Sequence, residues 1–90
     1  MDAKFELRLI NRMKEVLSGD GHITLTHDNG IKEDLIVGES NGCVYVYNIE
    51  SDLIAAFEIE GGPDAKELNI RDAAIWLYKC SHYDNKISEK

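Results

Sequence analysis

The dipeptide Asn-Gly occurs twice, at 29–30 and 41–42, and each copy separates two runs with the composition of β-strands. Asn and Gly accept the positive φ angles of a two-residue turn, which makes this dipeptide the strongest short-range signal for a β-hairpin. A further short connection at 49–52 leads into a fourth run. Strands joined in succession by short connections form a meander. The sequence therefore predicts a four-stranded antiparallel meander.

Helical periodicity flanks this predicted sheet on both sides. The apolar residues between 3 and 18 share one arc of a helix, Asp2 can cap its start, and the glycines after Ser18 can end it. A second helical pattern starts after Asn69, which is the predicted N-cap, and residues 63–68 could form an extra helical turn ahead of this cap. The predicted fold is α+β in a single domain, 1–90, with an N-terminal and a C-terminal helix packed on one face of the sheet (αββββα). The predicted bounds are helix 3–18, strands 22–27, 32–38, 43–48 and 53–60, helix 69–83, and a frayed tail at 84–90.

Alternation gives both faces of the predicted sheet apolar side chains. Residues at alternate positions of a strand have the same parity and point to the same face. By this rule one face forms a complete core, made of Ile23, Leu25, Leu35, Val37, Val44, Val46, Leu53, Ala55, Phe57 and Ile59. Two helices of about 22 Å each can cover one face of four strands but not both. The second face carries Tyr45 and Tyr47 beside Ile36, Ile54 and Ala56. Tyr is enriched at interfaces, which favours contact with a second copy or a foreign partner. The alternative is that Tyr and Ile only suit a half-exposed strand.

The acidity of the chain lies in the middle of the sequence. The formal net charge is −7, yet residues 20–64 hold ten Asp and Glu against the single Lys32, a balance of −9. Such a region repels nucleic acid and attracts basic surfaces. The alternative is that surplus acid only keeps a small protein in solution. No stretch approaches the roughly 18 apolar residues of a membrane span, and the charged N terminus does not resemble a signal peptide.

No arrangement of residues points to catalysis or to a metal. His22 and His27 have opposite parity on one predicted strand, so they face opposite sides and cannot share an ion. Glu58 and Glu60 share a strand face at about 7 Å, a spacing known from glycosidases, but a flat sheet offers no sugar-binding cleft. The prediction is a protein that is not an enzyme, with no catalytic residues, no metal site and no cofactor.

The two cysteines, Cys43 and Cys80, fall inside a predicted strand and a predicted helix. Two cysteines are too few for a disulfide scaffold, and small buried thiols are common in protein cores. We therefore expect both thiols to be reduced, which is typical of a cytoplasmic protein.

In its size, its acidity, its lack of catalytic motifs and its helix–sheet–helix order, the chain resembles small phage-encoded inhibitors of host defence, such as anti-CRISPR proteins and DNA mimics. The resemblance implies inhibition by occlusion in the cytoplasm of an infected host cell. It implies a protein partner with a basic surface, such as a nucleic-acid-handling complex. The acidic charge and the lack of an apolar span predict no direct contact with nucleic acid or membrane. The residues predicted to bind the partner are Glu33, Asp34, Ile36, Glu39, Tyr45, Tyr47, Glu50, Asp52, Ile54, Glu58 and Glu60.

Two other functions stay open from the sequence. One is a self-associating structural or accessory domain, a possible homodimer whose sheets pack across the tyrosine-bearing face. The other is an enzyme with an unrecognised site. A homodimer predicts a mass that depends on concentration and little on salt, whereas binding to a basic partner predicts steep salt dependence.

Overall fold

A computed structural model describes residues 2–26, 29–79 and 84–85. These residues form two helices and a five-stranded sheet. The first four strands form an antiparallel meander between the two helices, so the predicted α+β fold and its element order are confirmed. The elements in chain order are α1 (Ala3–Ser18), β1 (His22–Thr26), β2 (Lys32–Ser40), β3 (Cys43–Asn48), β4 (Leu53–Phe57), α2 (Ala65–Lys79) and β5 (Asp84–Asn85).

A short fifth strand extends the sheet beyond the predicted meander. The spatial order is β4-β3-β2-β1-β5, and β5 pairs antiparallel with the end of β1 through Leu25↔Asn85 and Thr26↔Asp84. These two residues fall in the segment 84–90 that was predicted to fray, and residues 86–90 lie outside the described part of the chain. The prediction missed the strand because the tail has no apolar alternation. Backbone pairing with an open strand edge needs no such pattern.

The second Asn-Gly dipeptide forms the tight turn that it predicts. Asn41 has φ 53° and Gly42 has φ 84°, the two positive angles of a turn that matches strand twist. The flanking residues Ser40 and Cys43 pair directly. β2 therefore continues two residues beyond its predicted end, up to the turn itself.

Helix α1 has the predicted bounds and the predicted cap. The Asp2 side chain accepts a hydrogen bond from the Lys4 N–H at 2.8 Å, which satisfies one of the free donors of the first turn. Its buried stripe is Leu9, Met13 and Val16, spaced three and four residues apart.

Both helices cover the same face of the sheet. The core joins α1 and α2 to the inward-facing residues of β1, β2 and β3. An ion pair also links the helices, with Arg71 Nε 2.8 Å from Glu6 Oε1, and this hydrogen bond is the main cause that raises the pKa of Arg71. The buried residues of this hydrophobic core are Leu9, Met13, Val16, Ile23, Leu25, Leu35, Val37, Val44, Val46, Ile70, Ala73, Ala74 and Leu77.

Helix α2 begins at Ala65, four residues before the predicted start, and Asn69 is not its cap. The Leu68 N–H donates to Asp64 O at 3.0 Å, so the helix is already hydrogen-bonded ahead of Asn69. Asn69 lies in the second turn with a fully buried side chain. Its carboxamide bonds the backbone of two other segments, and these partners are far away in sequence and give no local signal. The predicted helix end at 83 lies beyond the described end at Lys79.

Strand β4 ends at Phe57, three residues before the predicted end at 60. The Ile59 N–H and C=O groups are bonded to the side chain of Asn69, so they do not continue the ladder with β3. Gly61 and Gly62, both at positive φ, then turn the chain away toward α2. As a consequence Ile59 is 42% exposed, and its predicted place in the core is wrong.

A β-bulge changes the faces at the start of β4. Val46 pairs with Ala55, but the next residue, Tyr47, pairs with Leu53, so one residue of β4 is skipped. Residues paired across an antiparallel ladder share a face, which places Leu53 on the face of Tyr47. Leu53 is 54% exposed, and its predicted place in the core is also wrong.

Candidate functional site

The face of the sheet opposite the helices, called here the outer face, carries a row of aligned side chains. In that row Leu53 pairs with Tyr47, Tyr47 with Ile36, and Ile36 with His22. Directly paired residues have Cβ atoms about 4.5–5.5 Å apart, so the row is continuous across four strands.

A second row lies beside the first, with Tyr45 between Ala56 and Gly38. A Cβ added at Gly38 would meet no described atom within 4 Å, so the sheet surface beside the Tyr45 ring is open. Together the two rows form an apolar surface that the helices leave uncovered. We call it the tyrosine patch, made of Ile36, Tyr45, Tyr47, Leu53 and Ala56 together with the exposed Ile54, the residue that the bulge skips between Leu53 and Ala55.

The exposure of the tyrosine patch increases toward β4. Ile36, Tyr45 and Tyr47 are half-buried, whereas Leu53 and Ile54 are 54% and 43% exposed. Large apolar residues gathered on one surface, rather than scattered, are typical of an interaction site.

Two of the predicted carboxylates adjoin the tyrosine patch. Asp34 Oδ1 lies 3.1 Å from His22 Nε2 and accepts a hydrogen bond from Thr24 Oγ1 at 3.0 Å. On the opposite side of the patch, the Tyr45 hydroxyl donates to Glu58 Oε2 at 3.4 Å. The apolar surface thus has a fixed negative group at each of two borders.

The other predicted carboxylates lie elsewhere. Glu39 is on the helix side of the sheet, where it accepts a hydrogen bond from Gly42 N–H at 2.8 Å and lies 3.8 Å from Lys66 Nζ. Glu33 pairs with buried Leu25, so its register also places it on the helix side. The predicted acidic residues therefore do not form one contiguous surface around the tyrosine patch.

Glu50 and Asp52 belong to the connection between β3 and β4. Asn48 Oδ1 accepts hydrogen bonds from the Glu50 N–H at 3.0 Å and the Asp52 N–H at 2.9 Å. Both carboxylates thereby lie at the end of the sheet where β4 begins. Glu60 lies at the other end of β4, in the loop that follows it.

Cys43 is a buried free thiol next to the tyrosine patch. It has the parity of Tyr45, yet it is only 8% exposed. Beside it is an open cleft of about 440 Å³ whose lining includes Ile59, Glu60 and the two glycines of the following loop. The second cysteine, Cys80, lies outside the described residues.

The site residue that sequence reasoning missed is Leu53. Alternation alone assigns it to the core, because a bulge inserts one residue without changing the composition of the strand. The short, irregular connection before β4 is the only local sign that the register there is not strict.

The environment of Tyr45 gives a prediction for its titration. Partial burial raises the pKa of the phenol above its ordinary value of about 10, and the nearby Cys43 thiol and Glu58 carboxylate raise it further. Replacing Glu58 by Gln should lower the Tyr45 pKa but leave it above the ordinary value, because burial remains. Ultraviolet titration of phenolate measures this, with Tyr45→Phe identifying the Tyr45 step.

Glu60→Gln is the matched control for that titration, because Glu60 is not among the groups that raise the Tyr45 pKa. The folded protein favours neutral Tyr45, so this contribution to stability is complete below the ordinary pKa. It is lost as pH rises through the raised pKa. An unchanged Tyr45 step in Glu58→Gln would contradict the assigned contact.

The remaining findings concern metal binding, membrane-spanning helices and similarity to known proteins. Among residues 2–26, 29–79 and 84–85 there is no group of three or more His, Cys, Asp or Glu that could hold a metal ion. In the same part of the chain no helix is both long enough and apolar enough to cross a membrane. Comparison of the chain with protein-family models, with curated proteins and with solved structures finds no match.

Proposed function

We propose that this protein is a non-enzymatic binding module that uses the outer face of its sheet to occlude a basic surface of a partner protein. The observation that carries the proposal is the uncovered tyrosine patch with Asp34 and Glu58 fixed at its borders. An aromatic and aliphatic centre with a polar border is the composition of a protein–protein interface.

The two tyrosines are suited to anchor such an interface. Each ring is already half-buried between neighbouring strands, so a partner needs to immobilise little additional side-chain freedom. Tyr is among the residues that dominate the binding energy of interfaces, typically at about 2 kcal/mol or more for each such anchor.

The charge distribution selects the kind of partner. Residues 20–64, which contain all of β1 to β4, have a formal balance of −9. Such a field speeds encounter with a positively charged surface and disfavours an acidic one. Basic surfaces are what nucleic-acid-handling proteins present to phosphates. We therefore propose an inhibitor that blocks a nucleic-acid-binding surface in the cytoplasm, as the resemblance to phage-encoded inhibitors implies.

The test compares capture by three immobilised proteins from a lysate of the cells in which the protein acts. These are the wild type, Tyr45→Ala with Tyr47→Ala, and a control with Leu7→Ala and Leu68→Ala. The two leucines are 56% and 40% exposed on the helices, so the control removes apolar surface away from the outer face. The wild type and the control should retain the same protein, identified by mass spectrometry and released by moderate salt. The tyrosine variant should bind it at least about 100-fold more weakly.

Two further readouts decide the outcome. Addition of the wild-type protein should displace a nucleic acid from the captured partner, and circular dichroism should show intact helices in the tyrosine variant. Equal retention by the tyrosine variant, or a partner that does not bind nucleic acid, would overturn the proposal. A mass that rises with concentration, is insensitive to salt and is lost in the tyrosine variant would instead show a self-associating domain.

A further inference from the structure

The outer edge of β4 is open for pairing with another chain. β4 ends the sheet order, and none of the described residues pairs with the edge that faces away from β3. The inward-facing Ala55 and Phe57 are only half-buried, in contrast to the buried apolar residues on the same side of β1, β2 and β3. An additional strand beside β4 would bury these two side chains further. An edge strand presents its free N–H and C=O groups to any extended segment that can approach.

The sequence of β4 lacks the features that usually block an edge. Its five residues, Leu-Ile-Ala-Ala-Phe, include no charge, no proline and no glycine. The bulge lies at the first residues of the strand, and Ala55 to Phe57 keep regular pairing with β3. Native edges are normally protected by charged side chains, prolines or bulges along the accessible part. The accessible part of β4 has none of these.

Carboxylates flank the edge at both ends. Glu50 and Asp52 precede β4, and Glu58 and Glu60 follow it. The strand is about 17 Å long at 3.4 Å per residue, so the two acidic pairs lie at opposite ends of an uncharged segment. A complementary segment would be apolar in the middle and basic at both ends.

The same charges argue against a second copy as the occupant. Antiparallel self-pairing about Ala55 would place Asp52 opposite Glu58 of the other copy at both ends of the new ladder. Like charges directly opposite in a ladder are destabilising, whereas Lys or Arg at those positions would be favourable. Charge complementarity therefore selects a basic partner chain.

We propose that β4 binds an extended segment of the partner, basic at both ends and apolar in the middle, as an added strand of the sheet. The proposal rests on the proposed function, since the segment would belong to the basic surface that the outer face occludes. Backbone hydrogen bonds to β4 would give this segment its register, and its apolar side chains would extend the tyrosine patch at Leu53 and Ile54.

The experiment uses a defined peptide, Lys-Lys-Val-Thr-Val-Thr-Val-Lys-Lys, and amide hydrogen exchange of the intact protein read residue by residue. We expect exchange to slow at least about tenfold at alternate amides of β4, because only every second amide points away from β3. Amides of β2 and β3 are the internal reference, since the sheet already pairs both edges of these strands. The protection should weaken as salt rises.

Changes of charge in the peptide and in the protein measure how much electrostatic attraction contributes to binding at β4. A peptide with Glu in place of each Lys should not protect β4. Asp52→Asn with Glu58→Gln should weaken protection by the lysine peptide about tenfold, whereas Glu15→Gln with Asp72→Asn removes two acids from the helices and should leave it unchanged. Absence of β4 protection at millimolar peptide, or equal protection by the acidic peptide, would overturn the proposal. Protection that appears without peptide and grows with protein concentration would show a second copy at this edge and would also overturn it.

The two proposals fail separately. Loss of capture in the tyrosine variant together with no peptide protection of β4 would remove only the strand-addition proposal. Protection of β4 by the basic peptide together with unchanged capture by the tyrosine variant would remove the proposed function and leave a peptide-binding edge.

Discussion

Replacing Gly21 by alanine is expected to lower the free energy of unfolding by about 3 kcal/mol or more. Gly21 joins α1 to β1 at φ 75°, a conformation that costs an L-residue roughly 1–2 kcal/mol. A Cβ placed there would lie 2.3 Å from the carbonyl oxygen of Val37. The Val37 N–H also donates to Gly21 O at 2.8 Å, so the clash cannot be relieved without disturbing a hydrogen bond worth about 1 kcal/mol.

Gly61→Ala is the matched control for this prediction. Gly61 has a similar φ of 82°, but a Cβ there would meet no described atom within 4 Å. In the control the free energy of unfolding should fall only by the conformational cost of the positive φ angle, about 1–2 kcal/mol. The difference between the two variants then measures the clash with Val37. Denaturant unfolding gives both values, and the Gly21 variant should melt at least about 10 °C below the wild type. Equal losses would mean that the backbones of β1 and β2 separate easily at this point.

The parts of the fold that the sequence predicts are those with local causes. The turn at Asn41 and Gly42 needs two positive φ angles, and few residues other than Asn and Gly supply them. The start of α1 needs one side-chain acceptor, and Asp2 supplies it two residues from the donor. Alternation then separates the buried residues of β1, β2 and β3 from the outer face. Each of these signals is complete within a few neighbouring residues.

The parts that the sequence does not predict depend on distant partners. The bulge that brings Leu53 to the outer face arises from the register between β3 and β4, and nothing in the residues of β4 announces it. Asn69 has the composition of a helix cap, but its partners Gly42 and Ile59 are 27 and 10 residues away. A short polar side chain satisfies either role, so only the folded chain decides between them.

The candidate site also has a part that local sequence signals predict and a part that they do not. Apart from Leu53, the tyrosine patch follows from the alternation of side chains along each strand, which is a local signal, and the structure leaves the patch uncovered. The acidic residues were assigned to the site from the composition of the segment, and composition does not indicate on which face of the sheet each side chain lies. Glu33 already has the parity of buried Leu35, and Glu39 follows the parity of Val37 once β2 is extended to its turn. The negative charge is therefore spread over both sides of the sheet, although its sum is unchanged.

Replacing Asn69 by aspartate is expected to cost about 3–5 kcal/mol at neutral pH, a large share of the roughly 5–13 kcal/mol of a domain of this size. In the native protein the Asn69 Oδ1 accepts a hydrogen bond from the Ile59 N–H at 2.8 Å, and the Asn69 Nδ2 donates to Gly42 O at 2.8 Å and to Ile59 O at 3.0 Å. Aspartate is isosteric but has no N–H to donate, so a buried carboxylate would face two carbonyl oxygens. This single side chain joins α2, the turn between β2 and β3, and the segment after β4.

Two variants separate charge from the loss of hydrogen bonds. Asn69→Leu leaves the Gly42 and Ile59 carbonyls unpaired, as aspartate does, and also the Ile59 N–H, but it adds no charge and should cost about 2–4 kcal/mol, independently of pH. In Asn69→Asp, burial should raise the pKa of the new carboxyl in the folded state, so the loss should shrink as the group is protonated at acidic pH. Asn11→Asp makes the same change at an exposed position of α1 and should cost less than about 0.5 kcal/mol.

Substitutions of Asn69 should also affect the candidate site, because Asn69 binds Ile59 next to Glu58. Because Asn69 holds Ile59, it also positions Glu58, which accepts the Tyr45 hydroxyl, and it ends β4 at the edge proposed to receive a strand. Exchange of the Ile59 amide should therefore be faster in Asn69→Leu, which removes its acceptor, even where the sheet stays folded, whereas Asn69→Asp keeps an oxygen that can accept from this amide. Binding to the partner should weaken in Asn69→Leu, and the Tyr45 pKa should fall as Glu58 moves away. Normal binding in a variant whose Ile59 amide exchanges freely would show that the segment after β4 is not part of the interface.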